Sequence, residues 1–154
     1  MKKKLMMMLF AIALCVTSIC SVDIEANAEE IGEDVPYESL LTEDALIGHM
    51  ESQTWGIYLS SGKSIINDAG GGKIGAGGAT TAAVKCTVSV NAIVERKVNG
   101  SWVRVTSWTV TNTNSLLACA SKTISVSSGY YYRVRCNHTA ATDGSSSYTD
   151  ALWM

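Results

Sequence analysis

The 154-residue chain contains one proline, two histidines and no C-x-x-C pair. The single proline, Pro36, precedes the region of alternating residues, so nothing there interrupts a strand by removing a backbone donor. Without a C-x-x-C pair, and with His49 set among acidic residues, zinc-type ligation is not expected. No apolar run is long enough to span a membrane comfortably. Leu5 to Cys20 is uncharged and mostly apolar but falls short of the roughly 18 residues a spanning helix needs. That run follows Lys2, Lys3 and Lys4 and leads to Ala26-Asn27-Ala28, which puts small residues at both positions a signal peptidase reads. Residues 1–28 therefore read as a cleaved signal peptide, the alternative being a retained anchor. Leu14 before Cys15 and Ile19 before Cys20 fit a lipoprotein site poorly. No sorting motif or hydrophobic tail follows, so the expected destination is extracellular, by release or non-covalent wall association.

Basic residues are missing from a second place. Residues 29–51 hold eight acids and no Lys or Arg. Removing 1–28 takes three of the 12 Lys+Arg and two of the 14 Asp+Glu, leaving 9 against 12 and a net charge of −3. The remaining four acids and nine bases fall in 52–154, a net of +5. This asymmetry suggests an acidic leader or linker over 29–52, either a solvated tether or a segment folded back on the body. Residues 53–154 are enough for one domain with one core. Their scattered positive charge is too weak to indicate nucleic acid.

Within the leader, 37–50 (YESLLTEDALIGHM) has loosely helical apolar spacing, so it reads as a short helix or a linker. From Trp55 the period is two. Trp55, Ile57 and Leu59 alternate with Gly56, Tyr58 and Ser60. Val84, Cys86, Val88, Val90, Ala92 and Val94 fall on one face of a half-buried strand. Asn99-Gly100 is a strong hairpin signal, because both central residues of a type I′ turn need positive φ. A two-residue loop there sets Glu95 opposite Arg104 and Val94 opposite Val105. Further strands are expected over 101–111, 121–127, 129–138 and 147–153, with Asp143-Gly144-Ser145 as the last turn. Seven or eight short strands with almost no helix predict an all-β fold, an antiparallel β-sandwich of immunoglobulin/fibronectin type.

The apparent chemical motifs weaken on inspection. GIYLSSGKS (56–64) puts five residues between Gly56 and Gly62 where a phosphate-binding loop needs four, and IINDAGGG cannot supply the helix that should follow. The glycines of 70–78 suit turns and bulges at a sheet edge. Cys136 and His138 share a strand face with Cα atoms about 6.5–7 Å apart. A nucleophile and base would also need hydrogen-bond reach, an orienting group and a donor pocket, and no local motif supplies them. No catalytic residues, cofactor or metal are therefore expected. Trp102, Arg104, Thr106 and Trp108 fall together opposite the valine face. If exposed, Trp102, Arg104 and Trp108 would bind a sugar or a protein by stacking and cation–π contacts. If covered, they are the second side of a packed sheet.

Three stretches, GGKIGAGGATTA, VSVNAIVERKVNGSWVRVTSW and GYYYRVRCNH, resemble the small exported proteins of Gram-positive gut bacteria known as domain of unknown function 6147. The resemblance spans about half the chain, with the Gly-Tyr-Tyr-Tyr-Arg-Val strand its most specific part. It implies an exported β-domain and assigns no activity. A looser similarity to fibronectin-type sandwiches gives Tyr130 or Tyr132 a corner role, its hydroxyl bonded to backbone. Three cysteines remain after cleavage: Cys86, Cys119 and Cys136. Cys86 and Cys136, fifty residues apart with Trp102 between them, are similar to the cysteine–tryptophan–cysteine pin of immunoglobulin domains. That similarity implies a Cys86–Cys136 disulfide, although Val134 stands where the accompanying tyrosine belongs. Three buried thiols are the alternative. The expected function is a secreted, non-enzymatic binding module for a surface glycan or protein. A bacteriocin-like antagonist is the alternative, and membrane contact is expected only during export.

Overall fold

The structure, a computed structural model, describes residues 32–50 and 56–154. The signal peptide expected over 1–28 and the strand start at Trp55 lie outside these residues. Among the described residues, eight antiparallel strands are hydrogen-bonded into one sheet. They are β1 (Glu33–Asp34), β2 (Leu46–His49), β3 (Leu59–Gly70), β4 (Lys73–Val98), β5 (Ser101–Ser125), β6 (Tyr131–Ala140), β7 (Asp143–Tyr148) and β8 (Leu152–Trp153). The all-β expectation holds, but the strands are not all short. β4 and β5 run for 26 and 25 residues.

Strands this long fold the sheet onto itself at a shared corner. The β4–β5 register slips between Thr81 and Cys86 and again between Cys86 and Val88. Opposite, Asn114 takes φ 51°, and the Asn112 amide and Ser115 hydroxyl donate to the Leu117 carbonyl at 2.8 and 2.9 Å. One layer holds β1, the second half of β5, the first half of β4, β3 and β2. The other holds the first half of β5, the second half of β4, β6 and then β7 and β8. The inward faces meet in a core that includes Ile66, Ile74, Val88, Val90, Val94, Ile124, Tyr132 and Val134. Val88, Val90, Ala92 and Val94 are buried as their alternation predicts, whereas Val84 is exposed because it lies at the corner.

Asn99 and Gly100 take positive φ and close the β4–β5 hairpin, with Val98 paired to Ser101. Glu95 pairs with Arg104 as expected, but Val94 pairs with Thr106 because a bulge absorbs Val105. The final hairpin turns at Ala141, φ 50°, two residues earlier than expected. Asp143 instead accepts hydrogen bonds from the backbone N–H groups of Tyr58 (2.6 Å) and Leu59 (3.0 Å), tying the entry to β3 to the far layer.

The acidic segment docks on the first layer. Its expected helix is a single 3-10 turn, Tyr37–Leu40, followed by β2, which adds to β3 as an edge strand. Leu40 is 2% exposed and packs over the beginning of β4, at Gly75 and Gly77. A Cβ at Gly75 would strike Leu40 and the Asn67 amide, one at Gly77 would strike Leu40 and backbone, and one at Gly78 would strike Cys136 from the other side. These three glycines thus mark a central strand packed closely on both faces, not a sheet edge. Gly70, Gly71 and Gly72, all at positive φ, do form the expected turn.

Candidate functional site

The second layer presents its outer face through side chains that alternate with the core. Along β6, Tyr132, Val134, Cys136, His138 and Ala140 are buried, while Tyr131, Arg133, Arg135, Asn137 and Thr139 face outward. Tyr132 fills the expected corner role, its hydroxyl donating to the Ser127 carbonyl at 2.8 Å. Tyr130 lies just outside the strand with the Arg96 guanidinium 4.6 Å from its ring centroid.

Cys136 and His138 form no accessible reactive pair. Burial pushes the Cys136 thiol well above its ordinary range, and Sγ contacts the Gly77 carbonyl at 3.5 Å. His138 is fully buried, with Nδ1 2.8 Å from Thr80 Oγ1 and Nε2 2.8 Å from Ser147 Oγ. Burial lowers its pKa to about 4, so the imidazole is neutral and joins the two layers as a polar pin. Cys86, Cys119 and Cys136 are free thiols, which corrects the implied Cys86–Cys136 disulfide. Cys136 pairs with Ala92, six residues along β4 from Cys86. That separation is about 20 Å, far beyond the roughly 7 Å Cα limit of a disulfide. Among the described residues no group of three His, Cys, Asp or Glu side chains is arranged to hold a metal.

The Val105 bulge divides the predicted aromatic face. Trp102 and Arg104 pair with Lys97 and Glu95 on the outer side. Beyond the bulge the parity of β5 reverses, and Trp108 pairs with Ala92 and packs against the core. Trp108 therefore leaves the expected site; its buried Nε1 has no hydrogen-bond partner.

Non-local pairing brings other residues to Trp102 and Arg104. Glu95 lies between Arg104 on β5 and Arg133 on β6. Its carboxylate accepts from Arg133 Nε at 2.7 Å and stands 3.4 Å from Arg135 Nε, the latter an ion pair without hydrogen-bond alignment. Arg133 Cζ lies 4.4 Å from the Trp102 ring centroid and 5.6 Å from that of Tyr148. Lys97 Nζ also approaches Trp102, 5.7 Å from its centroid. Tyr131 pairs with Trp153, their rings edge to face at 4.8 Å, and both are exposed. Rings and cations therefore share one end of a sheet face, while Asn91, Thr109, Thr111 and Asn137 continue it as a polar ladder. Glu95–Arg104 was legible from the hairpin loop. Arg133, Arg135, Tyr131, Tyr148 and Trp153 were not assigned, because their signal is the β4–β6 register and no local turn sets it.

A cleft of about 300 Å³ lies nearby, between the Gly70–Gly72 turn and Trp153–Met154. Its carboxylate, Asp68, accepts from the Gly70 N–H at 2.7 Å.

No curated protein matches this chain. A solution structure of R. palustris CsgH is similar at 16% identity and a TM-score of 0.39, covering 55% of this chain and 87% of that one. A family model matches residues 25–152, and the chain belongs to that family of unknown function, DUF6147.

Proposed function

We propose that this chain is an exported, non-enzymatic β-sandwich that binds a surface glycan or protein through the outer face around Trp102. The observation that carries this reading is Trp102 itself. It is half-buried on an outward face, within cation–π distance of the Arg133 guanidinium and the Lys97 ammonium, with Tyr131, Tyr148 and Trp153 exposed on the same side. Aromatic rings with nearby guanidinium groups offer large apolar contact and directional donors together, the combination that dominates recognition surfaces. The basic, apolar and small-residue sequence at the N-terminus supports export. Among the described residues no helix is long and apolar enough to cross a membrane.

The test is a Trp102→Ala, Trp153→Ala double variant of the mature chain. Its fold is checked by circular dichroism and its binding to intact bacterial cells and a glycan array is measured. At least a tenfold loss of binding is expected, about 1.4 kcal/mol or more. A folded variant that binds as tightly as the parent would remove the face from consideration.

A further inference from the structure

We infer that the occupant of this face is an anionic polysaccharide, carrying carboxylate or phosphodiester groups; this rests on the binding-module reading above. Lys97, Arg104, Arg133 and Arg135 share the face with one carboxylate, Glu95, an excess of three positive charges. Glu95 does not neutralise this set. It is almost covered and engages both of its ion-pair partners through Nε. An arginine has five N–H donors, so the terminal nitrogens of Arg133 and Arg135 stay available. Among the described residues no side-chain hydrogen bond or ion pair engages the Arg104 guanidinium. Glu95 is thus a positioning residue for Arg133 and Arg135, leaving their terminal nitrogens for contact with carboxylate or phosphate.

Shape and backbone pairing favour a polysaccharide over an acidic peptide. β4 and β6 are each paired on both sides here, so their backbone donors and acceptors are spent within the sheet. A peptide adding as a strand would use an unpaired edge, which here is the outer side of β5 alone; the row of rings and cations instead crosses the paired strands β4 and β6, where only side chains are offered. Trp102, Lys97, Tyr131 and Trp153 cross β5, β4, β6 and β8 in turn. Three strand spacings of about 4.8 Å make roughly 14 Å, about the length of a trisaccharide. Sugar rings would stack on the indoles at the two ends while their acidic groups reach the arginines.

The mature protein should be tested against immobilised polygalacturonate and its methyl ester, phosphomannan and mannan, poly-L-glutamate and a single-stranded oligothymidine. Binding is expected to at least one of the two anionic polysaccharides, about tenfold or more above its neutral counterpart, and to weaken as salt rises. Preference for polygalacturonate or for phosphomannan identifies the carboxylate or the phosphodiester as the group read. An Arg104→Gln, Arg135→Gln variant with an unchanged melting midpoint should lose about tenfold in that binding and respond less to salt. Equal binding to charged and neutral polysaccharide would overturn the anionic assignment and leave the binding module standing. Tighter binding to poly-L-glutamate or oligothymidine would replace the polysaccharide with a protein or nucleic acid. Binding to none of these probes, or an Arg variant that binds as well as the parent, would also overturn it. The Trp102→Ala, Trp153→Ala cell-binding experiment separately decides whether the face binds anything.

Discussion

His138 carries a consequence specific to one side chain. Neutral and fully buried, it hydrogen-bonds Thr80 in one layer and Ser147 in the other. Its pKa falls from 6.5 to about 4 on folding. Between those values the unfolded chain holds the proton more tightly than the folded one, so stability declines as pH drops. The decline should begin near pH 6.5 and level off near pH 4, at about 3 kcal/mol. Urea unfolding at intervals of pH measures it, and a His138→Gln variant should lack the decline in that window. Asp143 acts lower on the scale. Hydrogen bonds from the Leu59 and Tyr58 N–H groups hold its carboxyl below the usual range, so its contribution persists above 3.8 and fades at more acidic pH. The inward position of His138 was legible from alternation along GYYYRVRCNH. Its partners were not, since Thr80 is 58 residues away and reaches it only through the folding of the sheet.

At the scale of elements, the acidic segment changes meaning most. Composition marked 29–52 as a leader, and charge alone left open whether it was solvated or folded back. Within its described part, β1 pairs with β5 and β2 with β3, while Leu40 covers Gly75 and Gly77. Asn67 donates to the Leu40 carbonyl at 2.9 Å and accepts from the Gly75 N–H at 3.1 Å, so the segment is hydrogen-bonded as well as packed. Leu40→Ala should cost about 2–5 kcal/mol, because bare glycine backbone beneath the side chain cannot fill the cavity. Chemical denaturation of the full chain measures it, and a cost under about 0.5 kcal/mol, the range of ordinary surface changes, would contradict the docking. The glycine-rich stretch was visible in the sequence, but its reason lay in two partners distant along the chain, Leu40 and Cys136. The bulge at Val105 was hidden for a different reason. One extra residue reverses the parity of everything after it, so Trp102 and Trp108 match in the sequence and oppose each other in the sheet.

At the scale of the molecule, the two layers are not separate sheets laid together. β4 and β5 pass through both, turning the same corner side by side. Local alternation and the Asn99-Gly100 turn made the second-layer hairpin legible. The corner was not, because a sharp bend in two paired strands leaves no mark beyond small register slips. Neither layer can come apart without breaking strands that also build the other, so partial opening is expected first at the outlying β1, β2, β7 and β8.

The same hairpin bears on how the chain reaches its fold. Pairing that spreads outward from Asn99-Gly100 joins neighbours in sequence first and lengthens the enclosed loop only gradually, so it avoids most of the entropy that distant contacts cost. The long hairpin is therefore the natural nucleus, with β6 added next and the acidic segment closing last. An Asn99→Ala change strains the left-handed turn by about 1 kcal/mol and should slow refolding roughly fivefold while leaving unfolding nearly untouched. Leu40→Ala should do the reverse, hastening unfolding and sparing the refolding rate. Stopped-flow measurements on the two variants distinguish a chain that zips from its central turn from one that begins at its acidic end.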